Sequence, residues 1–231
     1  MTLQSINRFA RNIAKATLRL PRGFDLYHDL RLIIPDPKVV FDVGANIGQS
    51  AKRYLKEFPR ATIYSFEPVA STFQQLITNV RFDRRSPELS RFRPEMCALG
   101  AETCSAHMKT AEGSSDMFQI DPSGNEEVKV STVDHWGGVV GHVDFMKIDT
   151  EGHDFEVLKG AEKMLREKRI TAIQVEAGMY PGNNCHVPLE TFKSHFEERG
   201  YLLFGFYDQV EEFFTNEQHL RRTNPVFVVR R

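Results

Sequence analysis

The stretch VVFDVGANIGQS, from Val39 to Ser50, constrains the fold of this 231-residue chain more than any other feature. An apolar run leads directly into a turn that contains an Asp, an Asn and two glycines, and a helix-forming stretch follows. Short apolar runs bounded by turn residues are typical of buried strands, and glycines let a backbone approach a neighbour or a ligand closely. The stretch therefore predicts a strand, a tight turn and a helix, with the turn beside a binding site.

Strands and helices are predicted to alternate along the rest of the chain. The predicted strands cover residues 38–43, 61–66, 92–99, 143–148, 170–175, 201–206 and 226–229. The predicted helices cover residues 48–57, 71–81, 154–167 and 189–199, and small hairpins are predicted on the rim between residues 101 and 131. This alternation favours an α/β fold with a doubly wound, mostly parallel sheet and a C-terminal antiparallel strand. Ligands of such sheets bind at the carboxyl ends of the strands.

Chain length and a basic N-terminal segment predict one main domain with a short addition. We expect a helical cap over residues 1–36 and a main domain over residues 37–231, because this length leaves little room for a second core. The first 24 residues carry five basic side chains and no acidic one, along a helix with one apolar face. Three interpretations stay open for this helix: a cap packed on the main domain, a peripheral membrane contact and a transit peptide.

Composition narrows the kind of partner and the compartment. The formal net charge is -1, whereas nucleic-acid-binding proteins are typically basic, so no nucleic-acid partner is expected. The three cysteines include no CxxC pair, which argues against a disulfide framework or a zinc site and fits a reducing cytoplasm. No apolar run approaches the roughly 18 to 20 residues of a membrane span.

Acidic residues lie at the ends of four of the five predicted parallel strands or open the turns after them: Asp42, Glu67, Asp149 and Glu176. A dinucleotide site would carry G-x-G-x-x-G, whereas the turn here is D-V-G-A-N-I-G, and its carboxylate would repel a pyrophosphate. The same carboxylate suits a ligand with an ammonium and a sulfonium group, and S-adenosyl-L-methionine (SAM) carries both. Glu67 lies where an acid can accept hydrogen bonds from both ribose hydroxyls. These features argue for SAM and against a nicotinamide oxidoreductase.

Several segments carry a family resemblance. They are VVFDVGANIGQS with YSFEP, CALG from Cys97, STVDHW from Ser131, VEAG from Val175, ERGYLLF from Glu198 and, most specifically, VDFMKIDTEGHDFEVLKGAEKML over residues 143–165. Over about residues 38–206 the chain resembles the FkbM-type SAM-dependent methyltransferases. The resemblance implies a class I methyltransferase Rossmann-like fold, SAM as methyl donor, and O-methylation of a hydroxyl on a sugar, polyketide or other small molecule.

The resemblance also implies a set of cofactor-binding residues. They are Asp42, Gly44, Ala45, Asn46, Gly48, Glu67, Pro68, Ala98, Leu99 and Asp149. The sequence departs from the family at Met96, where an Asn is common, which leaves the backbone of Ala98 and Leu99 as the expected contact in that segment. It departs again at His153 and Asp154, which follow the KIDTEG segment.

Asp149 is the leading catalytic candidate, because it ends the fourth strand beside the expected methyl group and can position or deprotonate an acceptor hydroxyl. Glu176, which ends the fifth strand, and His153, which begins a helix, are the other catalytic candidates. Lys147 lies in a strand that should be buried, so its charge is expected to pair with one of the acids. Asp149, His153 and Glu176 could together ligate a divalent ion, but no tight ligand spacing supports this, and no metal site is predicted.

Some points stay open. Glu151 is expected either to serve the turn or to face the site, and His186, in the loop PGNNCHVP, lies either on the surface or over the site. The expected partner is a small-molecule acceptor. The alternatives are a non-catalytic SAM-binding partner protein, in which the strand-end acids would be lost, and a methyltransferase that acts on a macromolecule. The identity of the acceptor and the oligomeric state are not predicted.

Overall fold

The computed structural model describes residues 21–80, 87–109, 119–120, 123–215 and 217–230. The basic segment before residue 21 lies outside the described residues, and so does part of the predicted rim hairpins, at residues 110–118 and 121–122. The helices are α1 (Leu26–Ile33), α2 (Gln49–Glu57), α3 (Ala70–Val80), α4 (Val133–Val140), α5 (Asp154–Lys159), α6 (Glu162–Arg166) and α7 (Leu189–Glu198). Within the described residues, no helix is both long enough and apolar enough to cross a membrane.

The strands form two sheets. They are β1 (Val39–Val43), β2 (Thr62–Phe66), β3 (Phe92–Glu95), β4 (Ala98–Leu99), β5 (Cys104–Lys109), β6 (Gln119–Ile120), β7 (Glu126–Ser131), β8 (Val143–Ile148), β9 (Ile170–Gln174), β10 (Ala177–Gly178), β11 (Tyr201–Glu211) and β12 (Leu220–Val229). The small sheet has the order β4-β7-β5-β6 and contains the short strands predicted on the rim.

The large sheet has the order β3-β2-β1-β8-β9-β12, with β10 and β11 also paired to β12. The five strands from β3 to β9 are parallel, and β12 is antiparallel to β9 and to β11. The predicted fold class is therefore confirmed. The strand order reverses between β1 and β8, so the carboxyl ends of these strands border the crevice where ligands of such folds bind.

Helices cover both faces of the large sheet. Successive side chains of a strand point to opposite faces, so apolar side chains on both faces need a covering layer. On one face, Phe41 and Met146 pack in a cluster with the helices α4 to α7. On the other face, Val40 and Phe145 pack in a cluster that includes Leu30 of α1. Residues of α1 thus belong to a core of the main sheet.

The single strand predicted over residues 92–99 is wrong. β3 ends at Glu95 on the edge of the large sheet, and β4 pairs with β7 in the small sheet. Between them the chain turns at Met96, which is 51% exposed, and the Cys97 N–H donates to the Glu95 carbonyl at 3.0 Å. The turn at Met96 carries neither Gly nor Asn, so the sequence does not mark it as a turn.

The single helix predicted over residues 154–167 is also wrong, because α5 and α6 are separated at Gly160 and Ala161. A Cβ atom at Gly160 would lie 1.9 Å from the Gly100 carbonyl oxygen, so the break allows two backbones to meet.

Helix α4 was not predicted, although Thr132 caps it by accepting a hydrogen bond from the His135 N–H at 3.1 Å. Gly137 and Gly138 lie inside this helix, and because Gly is unfavourable in helix interiors, the sequence does not indicate a helix there. The last two strands pair as predicted but are longer.

Candidate functional site

A cavity of about 310 Å³ opens at the carboxyl ends of β1, β2 and β8. Its walls are Val43, Gly44, Ala45, Asn46, Gln49, Ser50, Phe66, Glu67, Pro68, Ala98, Leu99, Met108, Lys147, Asp149, Thr150, Glu151 and His153. The predicted site residues Gly44, Ala45, Asn46, Glu67, Pro68, Ala98, Leu99, Asp149 and His153 are therefore brought together. The volume is in the range of sites for small molecules and cofactors.

The turn after β1 is held between the two neighbouring strands. Gly44 has φ +76°, and a Cβ atom on it would lie 1.9 Å from the Asp149 carbonyl oxygen at the end of β8. The N–H groups of Gly44 and Ala45 both donate to the Phe66 carbonyl at the end of β2. Gly48 is not on the wall; it precedes α2 with φ +94° and packs against α3. A side chain at position 44 would thus separate the strands that form the cavity floor.

Asp42 does not line the cavity. Its carboxylate is fully buried, and within the described part of the chain neither oxygen accepts a well-formed hydrogen bond, although the nearby Ser65 hydroxyl acts to lower its pKa. The nearest charge with which it pairs is the Lys147 ammonium, 4.0 Å from Oδ1. Burial raises the pKa of Asp42 to about 6. Its predicted contact with a cofactor therefore stays a prediction, and the structure places it next to Lys147.

Glu67 occupies the cavity wall at the end of β2 with both carboxylate oxygens oriented. Oε2 accepts a hydrogen bond from the Asn46 N–H, and Oε1 accepts one from the Val69 N–H, each at 3.0 Å. Burial raises the pKa of Glu67 to about 7, in spite of these two amides. A carboxylate oxygen has two lone pairs, so each oxygen keeps one for a further donor.

Lys147 and Asp149 form an ion pair at the end of β8. Lys147 Nζ lies 2.8 Å from Asp149 Oδ2, which confirms the predicted pairing of this buried lysine with an acid. Burial acts to raise the pKa of Asp149, but the adjacent ammonium outweighs it and holds that pKa below its usual range. Asp149 is thus an ionised acceptor of hydrogen bonds on the cavity wall.

The turn after β8 carries Glu151 and His153 on the same wall. Asp154 anchors this turn, because Oδ2 accepts from the Thr150 N–H and hydroxyl and Oδ1 accepts from the Glu176 N–H. Glu151 has φ +53°, and burial, together with the charges of Asp149 and Glu176, raises its pKa to about 7. His153 precedes α5 without capping it through its side chain, and burial lowers its pKa.

Glu176 lies beside this turn but not on the cavity wall. Its Oε2 is 2.9 Å from His186 Nε2, and its Oε1 forms an ion pair with Arg222 of β12. Among the described residues, Glu176, His186 and Glu151 place their ligand atoms within 4.8 Å of one another. The combination of Asp149, His153 and Glu176 considered from the sequence is not the group that the structure brings together.

Glu151, His186 and Arg222 lie at or near the site but were not among the predicted site residues. Glu151 belongs to a turn of positive φ, where a backbone role was equally plausible. His186 is brought in by the loop after β10, which packs so closely that a Cβ atom on Gly152 would lie 2.5 Å from the Cys185 carbonyl oxygen. Arg222 reaches the site only because β12 begins earlier than its apolar pattern indicates.

Comparison with known proteins adds to this geometry. Residues 42–215 match the family model described as Methyltransferase FkbM domain. The chain is 29% identical over 167 residues to "Hexuronic acid methyltransferase AglP" of Haloferax volcanii, covering 66% of this chain and 63% of that protein. It is 24% identical over 187 residues to "2-O-methyltransferase NoeI" of Sinorhizobium fredii, covering 72% of this chain and 73% of that protein.

Solved structures show the same fold. The methyltransferase FkbM from Methylobacillus flagellatus KT superposes with a TM-score of 0.57 at 17% identity, over 84% of this chain and 43% of that one. An rRNA methylase from Streptococcus thermophilus superposes with a TM-score of 0.51 at 11% identity, over 92% of this chain and 99% of that one. The chain spans under two thirds of the length of the archaeal curated relative and under half of the Methylobacillus chain.

Proposed function

The chain belongs to the FkbM methyltransferase family, and on that premise we propose that it transfers a methyl group from SAM to a hydroxyl oxygen of a sugar. The sugar is suggested by the curated relatives, one of which is named for hexuronic acid and another for 2-O-methylation. The observation that carries the proposal is the Glu67 carboxylate, which two backbone amides orient on the wall of the cavity.

The residues of the cavity fit SAM. Glu67 would accept hydrogen bonds from the ribose hydroxyls, and the apolar wall of Leu99 and Met108 suits the face of an adenine ring. The turn at Gly44 lets backbone approach the ligand closely, and the ionised Asp149 provides a partner for the ammonium group. When bound, SAM supplies a methyl group on a positively charged sulfur, which is already activated for displacement.

Asp149 also serves the acceptor. Its Oδ2 is held by Lys147 at 2.8 Å, so the carboxylate has a fixed position and a fixed negative charge. A carboxylate of this kind accepts a hydrogen bond from an acceptor hydroxyl and aligns its oxygen for an in-line displacement. Because the methyl donor is already activated, such alignment accounts for much of the rate.

The test is methyl transfer from SAM labelled on its methyl group. Purified protein is incubated with free and glycosidically linked hexuronic acids and neutral hexoses, and with protein and RNA as macromolecular acceptors. Label in a sugar, released as a methyl ether on hydrolysis, supports the proposal. Label in protein or RNA alone contradicts it. Asp149→Asn is expected to lower turnover at least about 100-fold and, because Asp149 also pairs with the SAM ammonium group, to weaken SAM binding in calorimetry by a smaller factor. Glu156→Gln, on an exposed face of α5, is the matched control.

A further inference from the structure

The side chains of Glu151, Glu176 and His186 surround one point beside the cavity. His186 Nε2 lies 2.9 Å from Glu176 Oε2, and the ligand atoms of all three residues lie within 4.8 Å of one another. Two ligands bound side by side to an octahedral ion at about 2.1 Å lie about 3 Å apart, and two oxygens on opposite sides of an ion at up to 2.6 Å lie about 5 Å apart. The three side chains thus have the spacing of ligands around a single ion.

Asn183 is not one of these three side chains, but it determines which ring nitrogen of His186 faces Glu151 and Glu176. Asn183 is 6% exposed, and its amide has one orientation, because Oδ1 accepts from the N–H groups of Cys185 and His186 while Nδ2 donates to the Arg221 carbonyl. Oδ1 also lies 3.0 Å from His186 Nδ1. An oxygen that only accepts requires a proton on Nδ1, so Nε2 is the ring nitrogen directed at Glu176 and Glu151.

Nε2 faces two carboxylates, and either a proton or a metal ion at this nitrogen would balance their negative charge. Histidines that bind metals commonly donate the other ring N–H to an oxygen that fixes the tautomer, which is the arrangement of His186 and Asn183. Arg222 pairs with Oε1 of Glu176 and leaves Oε2 directed at His186. Only 9% of the His186 side chain and 7% of the Glu176 side chain are exposed, so solvent has limited access to these two groups.

We propose that Glu151, Glu176 and His186 bind one divalent cation. Two carboxylates and one imidazole suit Mn²⁺ or a similar ion, and three protein ligands leave further positions for water or substrate. Glu151 lines the cavity, so the ion lies at the edge of the cavity.

The role of the ion in the reaction rests on the proposed function. A hydroxyl next to a divalent ion loses its proton more readily. That proton passes to water, the hydroxyl oxygen forms a bond to the methyl carbon, and the carbon–sulfur bond breaks with its electron pair on sulfur. Asp149 then keeps the positioning role described above.

The test is Mn²⁺ binding by the full chain without added histidine residues, in the absence of SAM. The loss of the free Mn²⁺ signal in electron paramagnetic resonance gives stoichiometry and affinity. We expect one Mn²⁺ per chain, with the affinity reduced more than about tenfold in Glu151→Gln and in His186→Gln. His142→Gln is the matched control, because His142 is an exposed histidine that contacts Thr171 away from the cavity. No binding by the unchanged protein, or binding that is equal in all four proteins, would overturn the proposal.

Two further measurements keep the outcomes distinct. Thermal unfolding and SAM calorimetry, both without metal, establish that each variant is folded, so that a loss of Mn²⁺ affinity reports on the ligands. Methyl transfer is then measured with and without Mn²⁺. Mn²⁺ binding without methyl transfer leaves the cation site standing and contradicts the proposed function. Transfer that is equally fast in the metal-free protein contradicts the role of the ion in the reaction.

Discussion

At the scale of single residues, the charge of Glu67 controls how well the cavity can hold a ribose. Burial raises the pKa of Glu67 to about 7, whereas ribose hydroxyls donate to the ionised form. SAM affinity should therefore fall as the pH drops through about 7, by about tenfold in total as the carboxyl group becomes neutral. Calorimetry between pH 5.5 and 8.5 measures this. Glu67→Gln should bind about tenfold more weakly at pH 8 and lose this part of the pH dependence. The exposed Glu102→Gln serves as the control, and an unchanged slope in Glu67→Gln would contradict the assignment.

Asp42 is the residue whose burial costs stability. Its pKa is about 6 in the folded protein, against 3.8 for the unperturbed group. The folded state therefore binds more protons between these two values, and the cost of the charge grows as pH rises from about 4 to about 6, then stays constant. Asp42→Asn should stabilise the protein by about 2 kcal/mol at pH 8 and by clearly less at pH 5. Urea unfolding at both pH values measures the difference. An equal gain in the free energy of unfolding at both pH values would show that ionisation of Asp42 does not destabilise the folded protein.

At the scale of elements, the turn between β1 and α2 tolerates no side chain at its first glycine. Gly44→Ala would place a methyl group 1.9 Å from the Asp149 carbonyl oxygen at φ +76°. We expect a loss of roughly 2 kcal/mol or more in the free energy of unfolding, together with loss of SAM binding. Gly138→Ala is the matched control, because a Cβ atom at Gly138 in α4 meets nothing within 4 Å. That change should stabilise the protein by about 0.5–1 kcal/mol. Similar effects of both substitutions would contradict the role of the close approach.

The elements also show why only part of the site could be predicted. Strands buried on both faces are mostly apolar, and Val143–Ile148, in which Asp144 and Lys147 are the polar residues, was predicted with the bounds that the structure shows. The residues directly after such strands, among them Glu67 and Asp149, share one edge of the sheet whatever the loops do. Their placement on the cavity wall therefore follows from local pattern alone.

Residues that enter the site from other directions carry no comparable signal. His186 depends on how the loop after β10 folds back, and Arg222 depends on the register between β12 and β11. Breaks inside elements are missed for a similar reason, since Gly160 is required by contact with Gly100, which is 60 positions away in the sequence. These features depend on tertiary contacts, which the local pattern of a single sequence does not encode.

At the scale of the whole molecule, one sheet separates two apolar cores, so the two should unfold together. Leu30 of α1 is buried in one core, whereas Trp136, the single tryptophan, packs against the other. Leu30→Ala should cost about 2–4 kcal/mol, because it removes buried side-chain volume and leaves a cavity. The shared strands should transmit this loss of packing to both faces of the sheet. Leu32→Ala is the matched control, since Leu32 is on the same helix but 65% exposed.

The measurement compares two signals during thermal unfolding. Trp136 fluorescence reports on the core that lacks α1, and far-ultraviolet circular dichroism reports on the whole chain. If the cores are coupled through the sheet, Leu30→Ala lowers both midpoints equally, and Leu32→Ala changes neither by much. A fluorescence midpoint that stays unchanged in Leu30→Ala, while the dichroism midpoint falls, would mean that α1 and its core unfold separately. In that case α1 would be a cap that unfolds independently of the core around Trp136.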